Sequence, residues 1–496
     1  MAPSWTMAPS WLSTLWPHAS DAVEPATGQP DATAAFDDPH SAVADLQPFP
    51  TDDVPAEVED EKPPPHESID KLPSDPVQAW GIVKPEPGNF NGGLIPWAPK
   101  PQSKPKDQAY SSLGLEADEV YNYAYPDMER YDEQLRDVAA FAFPTSLKQQ
   151  LLDGLRRYNH KASAPQDWDA VKEIWQTDRN PDMKKSGSVK TWIDDRTKKE
   201  GWHHQLYDDK EAQEWMDKTF SEKHGENNVH YLWNNLPAGI LRADLFRYLM
   251  LLVNGGIYTD TDTRLVRPPS QWGHGQRLWK GGEGWMDATQ RSRVSNGESI
   301  DDVLGRPSIV VGIEADVGVR DDWHKWYPRP LQFCQWTMAA APNHPITLSA
   351  VLRVLHASAT ANEWARVRWS WIKGLRSTGE WDKANDFFKS NVLSTPSDGG
   401  PVGVMDWTGP GVWTDSVLSY LSVNYGVKWT DLREIRHPLR IGDVVILPVT
   451  GFSPGVGQFG AGEPEDNQAM VYHLFRGSWK HQGKEGSLGA MGSIWD

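Results

Sequence analysis

The stretch PAGILRADLFRYLMLLVNGGIYTDTDTRL, residues 237 to 265, decides the fold. Leu241, Leu245, Tyr248, Leu249 and Leu252 recur at helical spacing, and the NGG at 254 to 256 supplies a C-terminal stop. A strand should follow at once. Strand alternation then places Tyr258, Asp260 and Asp262 on one face, with the two aspartate Cα atoms roughly 6.5 Å apart along the chain. Two like charges so close are costly unless something positive sits between them. Hard oxygen donors suit Mg²⁺ or Mn²⁺, ions that keep further coordination positions for phosphate oxygens.

Other uses of paired aspartates fit less well. A calcium loop begun at Asp260 needs Gly at its sixth position and Glu at its twelfth, where this chain has Leu265 and Gln271. A haloacid-dehalogenase-like phosphatase expects Thr or Val two positions after the second Asp, where Arg264 stands, and an apolar strand where NGG intervenes. An isolated Asp-x-Asp is ordinarily a solvated turn. The helix, double glycine and strand around this one argue for a site.

Outward from this stretch, alternation of strand and helix favours an α/β domain. DEQLRDVAAFAFPTSLKQQLLDGLRRYN, residues 132 to 159, reads as one or two helices. VKEIWQT at 171 to 177 reads as a strand, and GWHHQLYDDKEAQEWMDKTF at 201 to 220 as a strand leading through an Asp-rich turn into a helix. The single cysteine, Cys334 in LQFCQWTMAAAP, excludes an internal disulfide and a cysteine-based zinc site, and its neighbours suggest a buried helical thiol. Most of the 26 tryptophans are expected in packing, because a count alone does not locate a sugar platform.

The first hundred residues have a different character. Of 39 prolines, 20 fall at or before position 105, among acidic runs such as DDVPAEVEDEKPPPHES, and no helical or strand period is sustained. Such a segment cannot bury enough apolar surface to offset its ordering entropy. The expected organisation is a largely disordered arm over 1–130, a catalytic domain over 131–485 and a tail over 486–496. A net charge of −19 argues against nucleic acid or anionic membrane as a partner and leaves small molecules and glycans. No run of 18 or more apolar residues, no signal peptide and no N-x-[ST] acceptor is found, so no membrane span is expected.

The segment RADLFRYLMLLVNGGIYTDTDTRL resembles the sugar-nucleotide site of the DXD-type glycosyltransferases of family 32, the fungal initiation-specific α-1,6-mannosyltransferases in particular. EIWQT (173–177), VVGIEAD (310–316), DWHKWYPRPLQFCQWTMAAAPNHPI (322–346), WTGPGVWTDSV (407–417) and HLFRGSWK (473–480) carry the likeness in the family's order, over roughly residues 140 to 481. The resemblance implies a GT-A fold with a Rossmann-like central sheet flanked by helices, a divalent metal, Mn²⁺ or Mg²⁺, and retaining transfer of a hexose. GDP-mannose is the implied donor and a glycan or glycoconjugate the acceptor, in the Golgi. A UDP-hexose donor and a catalytically silent sugar-nucleotide or glycan-binding protein are the alternatives. Two departures stand out: members of this kind usually carry an N-terminal membrane anchor that this chain does not show, and the stretches at 145 to 170 and RNPDMKKSGSVKTW are less like the usual pattern.

Residue roles follow from the resemblance. Asp260 and Asp262 would anchor the metal, with His473 completing its shell. Asp244 and Arg247, three apart on one helix face, would hold the donor sugar. Trp175, Gln176 and Thr177 would line the nucleotide pocket, Tyr258 would be a further substrate-binding residue, and Ser478, Trp479 and Lys480 would close over the diphosphate. Glu314, Asp316 and Asp415 are the carboxylates expected to orient the acceptor.

Overall fold

Gly255 turns the chain out of a buried helix and into the middle of a sheet. The helix, Gly239–Asn254, is buried without a break from Asp244 to Leu252, which identifies it as a core element. Gly255 ends it at φ 73°, and Gly256 continues at φ 93°. Both need glycine: a Cβ on Gly255 would lie 2.6 Å from Pro342 Cδ, and one on Gly256 would lie 2.4 Å from the Glu173 carbonyl. The close approach of Gly256 to residue 173 lets the next strand enter the sheet beside the first.

The computed structural model describes residues 127–220, 228–236, 238–281, 285–317, 327–384 and 404–476. The proline-rich arm up to residue 126 and the tail at 486–496 lie outside them. Two helices, α1 (Met128–Phe141) and α2 (Thr145–Tyr158), precede the sheet and bury Leu135, Leu151 and Leu155. Strand β1 (Glu173–Thr177) is followed by β2 (His203–Tyr207), then α3 (Asp209–Phe220), α4 (Gly239–Asn254) and β3 (Gly256–Thr259). Short strands β4 (Thr263–Leu265) and β5 (Arg277–Leu278) lead to β6 (Ile309–Asp316), β7 (Leu331–Phe333) and β8 (Thr337–Ala340). Helices α5 (Pro345–Ser377) and α6 (Pro410–Tyr425) pack against each other, and α5 also packs on α4. Strands β9 (Leu439–Ile441), β10 (Val444–Leu447) and β11 (Val471–His473) complete the described residues.

The main sheet runs β2-β1-β3-β8-β6-β10-β9-β5, with β7 paired to β6. β2, β1 and β3 are mutually parallel; β8 runs against both β3 and β6, and β10 runs with β6. The carboxyl ends of β1, β2, β3, β6 and β10 therefore share one edge, where open α/β sheets collect ligands. The expected α/β class, with a central sheet flanked by helices, is what the chain forms. A separate pair, β4 with β11, sets His473 opposite Thr263.

Two local expectations differ. Cys334 is buried, but it sits between β7 and β8, its N–H donating to the Gly312 carbonyl, so it belongs to the sheet and not to a helix. An apolar run of that length carries no period that separates the two. Tryptophans do serve packing: Trp168 stacks between Trp202 at 5.7 Å and Trp272 at 5.6 Å under the sheet.

Candidate active site

Sequence alternation carries β3 through Asp262, but the strand stops at Thr259. The Asp260 N–H donates to the Trp336 carbonyl at 2.8 Å. Its own carbonyl accepts from Thr263 N–H at 3.2 Å, from Thr263 Oγ1 at 2.7 Å and from Gln176 Nε2 at 3.0 Å. The backbone is thereby closed into a tight turn, and the two aspartates project from it at the carboxyl edge of the sheet instead of lying along one strand face. Thr261, between them, donates to Asp178 Oδ2 at 2.6 Å.

Asp260 is tied to the core. Tyr258 OH donates to its Oδ1 at 3.0 Å, and Thr177 Oγ1 lies 2.9 Å from the same phenol. Arg247 Nη2 lies 3.4 Å from Asp260 Oδ1 and 3.0 Å from Asp244 Oδ1, while Nη1 donates to the Gln335 carbonyl at 3.1 Å. Thr408 Oγ1 donates to Asp244 Oδ2 at 2.8 Å. Asp244 and Arg247 are 3% and 5% exposed, whereas the Asp260 side chain retains 29% exposure, so the charge network reaches solvent at Asp260. Burial pushes Asp244 up to about 6, against the opposing pull of Arg247 and Thr408. Burial also raises Asp260; Arg247 opposes it and the charge of Asp262 adds to it.

Asp262 takes its partners from the other end of the chain. Because β11 pairs with β4, His473 Nε2 comes within 3.1 Å of Asp262 Oδ1, and the N–H of Arg476 donates to Oδ2 at 3.0 Å. His473 stacks on Trp336 with ring centroids 4.4 Å apart. Burial alone would raise the Asp262 carboxyl, but His473 and the Arg476 N–H hold it below the usual carboxylate range.

Asp244, Asp260 and Asp262 thus converge on one buried guanidinium and one imidazole, an excess of negative charge that a divalent cation would neutralise. No three His, Cys, Asp or Glu side chains form a ready-made cage among the described residues. A donor set of two turn carboxylates and one imidazole fits an ion that completes its shell with phosphate and water oxygens.

The other expected residues divide. Trp175 is buried in the core and its Nε1 donates to the Gly255 carbonyl at 2.7 Å, which anchors the helix-to-strand turn. Gln176 and Thr177 brace the Asp260 turn by the contacts above. Glu314 accepts from Gln332 Nε2 at 2.6 Å, and burial pushes its carboxyl up to about 8. Asp316 is engaged by Arg433 at 3.3 Å and by the Glu434 N–H at 2.6 Å. Asp415 is wholly buried under Arg329, whose Nε and Nη2 reach its two oxygens at 2.8 and 2.6 Å. The expectation that Asp316 and Asp415 face an acceptor meets side chains already committed to structural ion pairs. Ser478, Trp479 and Lys480 lie outside the described residues. Sequence reasoning misses Asp178, Gln335 and Thr408 as site residues. Asp178 directly follows EIWQT, and the other two stand inside stretches already singled out, so adjacency is the available signal.

Residues 165–279 match the family described as glycosyltransferase sugar-binding region containing DXD motif. The chain is 34% identical over 323 residues to the initiation-specific alpha-1,6-mannosyltransferase of Schizosaccharomyces pombe, a match covering 65% of this chain and 66% of that protein, just under two thirds of its length. The Candida albicans protein of the same name is 29% identical over 75% of this chain and 83% of its own. The Saccharomyces cerevisiae protein is 26% identical over 70% and 82%. No helix among the described residues is long and apolar enough to cross a membrane.

Proposed function

We propose, from the premise that this chain belongs to the DXD-motif glycosyltransferases and stands with the initiation-specific α-1,6-mannosyltransferases among them, that it transfers mannose from GDP-mannose to a hydroxyl of a glycan. The observation that carries this reading is the Asp260 to Asp262 turn, which presents two carboxylates at the ligand-collecting edge of the sheet with one guanidinium locked behind them. Asp260, Asp262 and His473 would hold Mn²⁺ or Mg²⁺, which when bound supplies positive charge against the departing nucleoside diphosphate.

Arg247 and Asp244 form the sugar side of the site. Arg247 Nε is buried without a hydrogen-bond partner, a donor left for a ligand oxygen. Asp244 keeps the guanidinium plane fixed while Tyr258 supports it from below, with the guanidinium carbon 4.9 Å from the ring centroid. Glu314 is the carboxyl best suited to orient the acceptor hydroxyl, since near neutrality it holds a proton and has a hydrogen-bonded amide, Gln332, to keep it in place. Retention of configuration and Ser478, Trp479 and Lys480 as a cover for the diphosphate belong to the same proposal, as does action in the Golgi.

Incubation of the full chain with Mn²⁺ and a panel of GDP- and UDP-sugars, with a mannose oligosaccharide as acceptor, tests it. Release of GDP from GDP-mannose together with a lengthened oligosaccharide is expected. Nucleotide binding without release from any donor would instead favour a silent sugar-nucleotide-binding protein.

A further inference from the structure

The outer edge of the sheet carries a cavity. Among the described residues β2 pairs only with β1, and along its other side a cavity of about 650 Å³ opens between β2, the turn Pro181–Lys185 and α3. That volume is in the range of small-molecule sites. Asp244, Arg247, Asp260, Asp262 and His473 do not line it, so it is distinct from the turn that carries the paired aspartates.

Its lining has a particular chemistry. Tyr207 and Trp215 are both half-buried on its wall. Each is backed by Phe246, at 5.4 and 5.2 Å between ring centroids, which fixes the two rings at little entropic cost to a ligand. The wall carries two lysines, Lys184 and Lys218, and two glutamates, Glu211 and Glu214. Lys184 stands 4.0 Å from Glu211, and the two glutamates equal the two lysines in number, so the wall offers a phosphate ligand no excess of positive charge. A neutral polyhydroxylated ligand suits this wall better, its C–H faces on the rings and its hydroxyls donating to the carboxylates.

The cavity is also joined to the paired-aspartate turn. His204 lines it and lies 2.8 Å, Nε2 to Oε1, from Gln176, whose Nε2 donates to the Asp260 carbonyl at 3.0 Å. Because the Gln176 amide nitrogen faces the Asp260 carbonyl, its oxygen faces His204 and can only accept, so His204 Nε2 is the donor and Nδ1 is left as an acceptor. One glutamine therefore separates an occupant of the cavity from the backbone that sets both aspartates.

We propose that this cavity binds neutral hexose residues of the acceptor glycan, a subsite that anchors the oligosaccharide away from the reacting hydroxyl. The inference rests on the transfer reading above for the word acceptor, and on the cavity alone for glycan binding.

Calorimetric titration of the full chain with a neutral mannose oligosaccharide, and separately with GDP and Mn²⁺, tests it in Trp215→Ala and Glu214→Gln. Glu214 is exposed, with 66% of its side chain open, so its variant folds even where loss of Trp215 disturbs packing. Each variant should lose about tenfold in oligosaccharide affinity, with GDP affinity unchanged. Unchanged oligosaccharide affinity in both variants, no oligosaccharide binding by the parent, or a matching loss of GDP affinity in Glu214→Gln overturns the subsite. Weakened oligosaccharide binding in a protein that transfers from no donor upholds glycan binding in the cavity and overturns the transfer reading.

Discussion

Arg247 reaches from a buried helix to within 3.4 Å of Asp260 Oδ1, so one guanidinium joins the half-buried aspartate turn to the charge pair in the core. Its second carboxylate, Asp244, is 3% exposed and has no water to fall back on.

Removing that guanidinium should therefore cost stability as well as activity. Arg247→Ala leaves buried carboxylate charge uncompensated, a loss of about 3–5 kcal/mol that a urea midpoint would register. Arg247→Lys restores charge but cannot serve Asp244, Asp260 and the Gln335 carbonyl together, so it should recover part of the stability while kcat/KM for GDP-mannose stays at least about tenfold down. Parent-like turnover in the lysine variant would remove the fork from the mechanism.

Asp262 offers the cleaner test of metal binding. Its Oδ1 and Oδ2 meet His473 and the Arg476 N–H, contacts that an amide oxygen keeps in part, so Asp262→Asn should melt within a few degrees of the parent. Mn²⁺-dependent binding of GDP should nonetheless fall by about tenfold or more, and turnover with it. EDTA should silence the parent and Mn²⁺ restore it; full turnover in EDTA would contradict a metal at this turn.

Thr408→Val removes the hydroxyl that donates to Asp244 Oδ2 at 2.8 Å without changing the shape of the side chain much. Leaving one oxygen of a buried carboxylate unsatisfied should cost about 1–3 kcal/mol at neutral pH by chemical denaturation. Because burial already pushes Asp244 up to about 6, the cost should shrink below that pH, where the group holds a proton. A pH-independent cost would mean that Thr408 acts through packing alone.

Glu314 provides a pH signature. Burial raises its carboxyl from 4.5 to about 8, so the folded protein holds a proton that the unfolded chain has released, and stability should decline as pH rises across that window. Glu314→Gln should flatten this decline, seen as a smaller drop in melting temperature between about pH 5 and about 8. If the two slopes coincide, the carboxyl is not held neutral.

The helix, glycine stop and strand from 239 to 259 are legible in the sequence because their signals are local: a 3.6-residue period, then two adjacent glycines directly after it. The turn at Asp260 is not. There the Asp260 carbonyl turns back to accept from Thr263 and from Gln176, and the second of these partners lies 84 residues away in sequence. Distance also hides the fate of Asp415, whose partner Arg329 lies 86 residues earlier, and the part played by Thr408, 164 residues from Asp244. Trp175 shows the opposite limit: its position at a strand end invites a ligand role, while its indole N–H is spent on Gly255. Composition and period describe what a residue is; which polar atoms remain unclaimed depends on partners that only the fold brings near.

The pairing of β11 with β4 also sets an order on biosynthesis. Asp262 leaves the ribosome with its neighbours on β3 and β4, yet the histidine and backbone amide that hold its carboxylate come 211 and 214 residues later. The nascent chain can build the main sheet and bury Arg247 first, but the Asp262 carboxylate stays without these two partners until β11 arrives to pair with β4. Without residues 471–476 the Asp262 carboxylate would lose both His473 and the Arg476 N–H, while Arg247 and Asp244 kept their contact in the core.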